Sequence, residues 1–96
     1  MKVFISSASK DHLNTKNVCA SLNEKNIKTW SSIVDKIGSG DSFEDIIFSE
    51  IEKSIGSVVL VSQALLDSTF VTEKELGKIL SMKSSNPNYF IIYLIL

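Results

Sequence analysis

KVFISSASKD, from Lys2 to Asp11, carries the chain out of a strand and into a polar loop. Val3, Phe4 and Ile5 are strand formers in a short apolar run. The run stops at Ser6, Ser7, Ala8 and Ser9, ahead of the charged pair Lys10 and Asp11. In sheets wound from alternating strands and helices, ligands sit at the carboxyl ends of the strands, where strand order reverses. If this strand is interior to such a sheet, Ser6 to Asp11 line the crevice.

Working outward, His12 to Lys25 reads as a first helix with Asp11 as N-cap and Leu13, Val18, Cys19 and Leu22 facing inward. Asn26 closes it. Ile27 to Trp30 is a short second strand, followed by a long polar connection, Ser31 to Ser42, that holds Gly38, Ser39 and Gly40. Asp41 or Ser42 caps a second helix to Ser54, with Phe43, Ile46, Ile47 and Ile51 at helical spacing. Phe48 lies off that stripe, as edge packing or part of a contact surface. Gly56 breaks the pattern, and SVVLVS, Ser57 to Ser62, is the continuous apolar run of a strand buried on both faces. Gln63 to Thr69 is a connection with Leu65 and Leu66 pointing inward. Ser68 or Thr69 caps a third helix to about Lys83, with Leu76, Ile79 and Leu80 as its stripe. A turn around Pro87 leads into YFIIYLIL, Tyr89 to Leu96.

Strands and helices therefore alternate, which predicts one α/β domain over residues 1–96, a flavodoxin-like three-layer parallel sheet in strand order 2-1-3-4. The fourth strand is hydrophobic and lies at the sheet edge, an invitation to pair. Either more protein follows Leu96 or the strand pairs with a second copy; truncation is the favoured expectation, because an open wound sheet normally continues.

The composition, 44% hydrophobic and 22% charged, is that of a soluble globular domain. A net charge of -1 gives no field that attracts nucleic acid or anionic lipid, so neither partner is expected. The C-terminal apolar run is far shorter than the roughly 20 residues that span a bilayer. Nothing at the N-terminus has the form of a leader, and a cytoplasmic location is expected. Cys19 and His12 are the only cysteine and histidine, too few for a zinc cluster, and no metal is expected. Cys19 reads as packing.

Several chemistries fail on their own requirements. A phosphoacceptor needs acids at the ends of the first and third strands, where Ser6 and Ser62 stand. No P-loop is present, and Gly38 to Phe43 begins like a dinucleotide fingerprint without a strand leading into it.

The residues do resemble a family. FISSASKD, Phe4 to Asp11, resembles the first box of TIR (Toll/interleukin-1 receptor) domains. Trp30 through Asp35 and Ile37 to Gly40, Asp41 and Phe43 is similar to their BB loop. Glu50, Ile51, Ser54 and VVLVS are similar to the second-helix end and third strand. Ser68, Phe70, Glu75 and Leu76 resemble the third-helix box, and YFIIYLIL the fourth strand. Ser7 stands where the family has an aromatic or histidine, and the spacing from Phe70 to Glu75 is one residue longer than usual. The fifth strand and last helix of the family are lacking.

For a bacterial-type member, the resemblance implies cleavage of NAD at the nicotinamide–ribosyl bond, giving nicotinamide and ADP-ribose or its cyclic form, in defence or virulence signalling. NAD is then substrate, and no cofactor is implied. Nicotinamide departs from a pyridinium as a neutral ring, so one carboxylate that stabilises the ribosyl cation suffices. Helical periodicity leaves Glu75 and Glu73 open as that carboxylate, and the Glu-Leu pair in the family box favours Glu75. Ser6 and Ser7 would offer hydroxyls to phosphate or ribose, Trp30 and Phe70 aromatic walls, and Asp35 a contact in the loop. The Ser31 to Ser42 loop is expected to mediate self-association or contact with other TIR domains. Two rivals remain: a non-catalytic TIR interaction module, and a small nucleotide binder unrelated to the family.

Overall fold

The structure, a computed structural model, describes residues 1–35 and 43–96. The strands are β1 (Lys2–Ser6), β2 (Lys28–Trp30), β3 (Gly56–Val61) and β4 (Phe90–Ile95). The helices are α1 (His12–Glu24), α2 (Phe43–Lys53), a single turn α3 (Gln63–Leu66) and α4 (Leu76–Ser85), the last entered through a π turn, Val71–Glu75.

All pairings are parallel, in the order β2-β1-β3-β4 expected from the sequence. Right-handed crossovers then dictate which face each helix covers. The step from β1 to β2 runs one way along the sheet and the later steps run the other. Hence α1 packs on one face, with Val3, Ile5, Cys19, Val58 and Leu60, while α2 and α4 cover the opposite face. There Phe4, Val59, Ile47, Ile51, Leu65, Val71, Ile79 and Tyr89 form the larger core. Alternation along β1 and β3 sends neighbouring residues into different cores, as the period of a strand requires. The order reverses between β1 and β3, so the crevice lies beyond Ser6 and Ser62.

Local chemistry sets the element ends. Asn26 takes the left-handed conformation, φ 63°, and Ile27 N–H donates to Leu22 O at 3.0 Å, which stops α1. Ser62 caps α3 by accepting from Leu65 N–H at 3.1 Å. Ser68 does the same for the next helix, accepting from Val71 N–H at 3.4 Å.

Four inward-facing expectations are corrected. Leu13, Phe43, Leu66 and Leu80 are 70%, 50%, 57% and 54% exposed. In α1 the inner row is Thr15, Val18, Cys19 and Leu22 at helical spacing, and Leu13 falls outside it. Thr15 is tolerated inside because its hydroxyl donates to Asp11 O at 2.9 Å and bonds with Ser7 Oγ at 2.7 Å. Asp11 is not the expected side-chain cap. A 3-10 turn, Ser9–Asp11, runs straight into α1, so Asp11 lacks an extended cap backbone, and its carboxylate accepts from the Ser62 hydroxyl instead. Phe48 is edge packing against the larger core. The Gly38 to Phe43 reading and the Asp41 or Ser42 cap fall on residues outside the described ones, Phe43 apart.

β4 keeps Phe90 and Ile91 partly covered, whereas Ile92, Tyr93, Leu94 and Ile95 are exposed. Among the described residues, no helix is long and apolar enough to cross a membrane.

Candidate functional site at the carboxyl ends of β1 and β3

Beyond β1 the chain forms a cavity of about 200 Å³ lined by Ser7, Ala8 and Ser9, by Ser32 and Ile33, by Phe43 of α2, and by Ser68, Phe70, Val71 and Glu75. Most of that wall is apolar or hydroxylic. Phe43 and Phe70 meet at the cavity with ring centroids 5.4 Å apart and planes tilted by 58°, a favoured arrangement for two aromatic rings. A second cavity of about 220 Å³ shares Ala8, Ser9 and Ser68 and adds Lys10, Ala64 and Asp67, so it is the more charged of the two.

Among the described residues, Glu75 is the one ionisable side chain lining the first cavity, and it is 2% exposed. Its Oε1 accepts a hydrogen bond from Ser6 Oγ at 3.0 Å. Burial raises its pKa from the ordinary carboxyl value to about 7, and the Ser6 hydroxyl pulls in the opposite direction. A carboxyl that changes charge near neutrality in a cleft is a functional-site signature.

The backbone places Glu75 there through the π turn. A π turn closes its hydrogen bond over one more residue than an α-helix, and such turns are frequent at functional sites. The segment carries one more residue between Phe70 and Glu75 than the family box, and the π turn absorbs it. Glu75 thereby shares a wall with Phe70 and Val71 while Ile79, one turn on, stays in the core. Glu73 does not line the cavity and is exposed.

Of the residues singled out in the sequence, the structure brings Glu75, Ser6, Ser7 and Phe70 together. Ser6 meets Glu75 on its buried side and does not line the cavity; the Ser7 hydroxyl is engaged with Thr15. Trp30 lies beside the larger core, stacked on Phe4 at 5.8 Å with 19° between planes, and is not a lining residue. Asp35 turns back on its own loop, accepting from Ser31 N–H at 2.8 Å. Phe43 and Ser68 line the cavity without having been marked as site residues. For Phe43 the sequence offered a signal, since it opens α2 directly after the long loop. Among the described residues, no cluster of His, Cys, Asp or Glu could hold a metal ion.

A family model described as TIR domain matches residues 3–96. The chain belongs to the TIR domain family. Solved structures agree with this TIR domain in fold. The TIR domains of the activated Roq1 resistosome that recognises the pathogen effector XopQ superpose with a TM-score of 0.84 at 25% identity, over 98% of this chain and 56% of that one. The TIR domain of the Toll-related receptor TRR-2 from Hydra magnipapillata gives 0.78 at 26% identity, over 95% of this chain and 66% of that one. This TIR domain thus spans somewhat over half to about two thirds of the length of those chains. No curated protein matches it at a significant level.

Proposed function

We propose that this TIR domain is a bacterial-type enzyme that cleaves NAD at the nicotinamide–ribosyl bond, with Glu75 as its catalytic residue. The observation that carries the reading is a buried carboxyl with a pKa of about 7 in the wall of an aromatic-edged cavity. At about 200 Å³ the cavity is below the roughly 300–1,000 Å³ of sites for drug-sized ligands, so it fits one end of a dinucleotide. The nicotinamide ring packs against the aromatic edge formed by Phe43 and Phe70. The rest of the molecule runs toward the second cavity, where Lys10 supplies positive charge for phosphate.

In the reaction the bond from ribose C1′ to the pyridinium nitrogen breaks, and both electrons go to the ring, which leaves neutral. Glu75, ionised, stabilises the cationic C1′ and orients the ribose hydroxyls. Water attack at C1′ gives ADP-ribose and a proton, while attack by the adenine ring gives the cyclic product. The apolar wall excludes water from the charge pair and so strengthens it.

Incubation of the purified protein with NAD at high protein concentration, to allow assembly, should release nicotinamide. Glu75→Ala should reduce release by at least about a hundred-fold, in line with loss of a group that acts on the transition state. Because the ionised form acts, the rate should rise with pH around a midpoint of about 7. Glu73→Ala, at an exposed position, should leave the rate within about two-fold.

A second reading is favoured by the exposed apolar row on β4: an interaction module that recruits TIR domains. The named assembly of the Roq1 TIR domains lends it support. Self-association without nicotinamide release under any assembling condition would select this reading.

A further inference from the structure

We infer that Ser6 is a positioning residue for Glu75, its hydroxyl holding one carboxyl oxygen at the end of β1 so that the other is turned to the cavity. The inference rests on the reading above, in which Glu75 faces the reacting centre. Ser6 is the last residue of β1, fully buried and in register with Val59 of β3, so sheet backbone fixes its hydroxyl. The bond from Oγ to Oε1, 3.0 Å long, joins the innermost strand to the π turn. Since Ser6 does not line the cavity, it reaches substrate only through Glu75.

Among the described residues, the charged groups on the helix that carries Glu75 are engaged elsewhere or exposed. Glu73 is exposed, Lys74 pairs with Glu44 of α2 at 3.8 Å, and Lys78 pairs with Glu52 of α2 at 3.2 Å. The loop after β1, residues 32–33 and residues 68–71 bring no titratable side chain to the cavity wall among the described residues. The Ser6 hydroxyl is therefore the polar group that sets the ionisation of Glu75 against its burial.

The test compares wild type, Ser6→Ala and Ser6→Thr, each confirmed as folded by its amide spectrum. Carbon-13 NMR of the Glu75 carboxyl is followed with pH, and nicotinamide release is measured in parallel. In Ser6→Ala the Glu75 midpoint should move upward by roughly one pH unit, because a bond to the charged form has been removed. The acidic limb of the rate profile should move with it. At neutral pH kcat should fall roughly five-fold while KM stays within about two-fold, the pattern of a group acting through the catalytic carboxyl. Ser6→Thr, which keeps the hydroxyl, should restore both. An unchanged Glu75 titration in Ser6→Ala overturns the inference, as does a loss carried by KM alone, which would mean direct substrate contact. If wild type releases no nicotinamide, the NAD reading fails by itself, and the carboxyl titration still decides whether Ser6 governs Glu75.

Discussion

Moving the Glu75 side chain from water into the cavity wall strips the ionised form of hydration, and one serine hydroxyl returns only part of it. The consequence for folding has a definite sign. Between the ordinary carboxyl pKa of 4.5 and the folded value of about 7, the folded protein holds a proton that the unfolded chain has released. Stability therefore falls as pH rises through that window and levels off above it. The loss is on the order of 3 kcal/mol. Glu75→Gln removes this titration and nearly keeps the shape. Relative to wild type it should gain stability between about pH 5 and about pH 8 by that amount, read from urea unfolding at the two values. Parallel pH profiles for the two proteins would show that Glu75 ionises without penalty. On the proposed reading, the domain gives up stability for chemistry by keeping such a group.

At the scale of elements, β3 and β4 meet where Gly56 faces Phe90. A Cβ at Gly56 would stand 2.3 Å from the Phe90 ring, well inside contact distance, so the ring lies flat over the glycine. Gly56→Ala should destabilise the domain by about 1–3 kcal/mol, the range for overpacking, seen as a lower Tm. Phe90→Leu, which clears the space, should make the alanine cheaper when the two are combined. Elements of this kind were legible in the chain. Val3 to Ile5 and Val58 to Val61 are continuous apolar runs, and Ile47 and Ile51 sit one turn apart, so burial and period agree. The site was less legible. Helical periodicity places Glu73 and Glu75 equally near the apolar stripe, and the π turn that separates them leaves no mark in a pattern with a constant period. Trp30 and Ser6 were visible as residues, but their partners, Phe4 and Glu75, are set by register and packing. Leu13 and Leu80 misled because a hydrophobic side chain on a helix need not lie on its inner row.

At the scale of the whole domain, the exposed residues of β4 form an apolar stretch of the described surface. Ile92, Tyr93 and Ile95 are 53%, 55% and 72% exposed, and they lie on a sheet edge beside unpaired backbone groups. Such an edge favours strand addition. Ile95→Lys should reduce self-association in sedimentation velocity while shifting Tm by less than about 2 °C, because little of that side chain is buried. Equal association in both proteins would place the contact elsewhere.

The sheet also divides the molecule into two compartments, with Glu75 over one face and the single thiol, Cys19, sealed between the inner side of α1 and the other face. Burial raises the Cys19 pKa, a Thr29 hydrogen bond opposes this, and Asp35 adds to the rise, so the sulfur is slow to react while the layer is closed. It is a built-in stopwatch: a disulfide reagent can modify it only when α1 lifts. If the domain opens as one cooperative unit, occupancy of the far compartment by nicotinamide should slow that modification; if α1 opens alone, the stopwatch will run at the same speed.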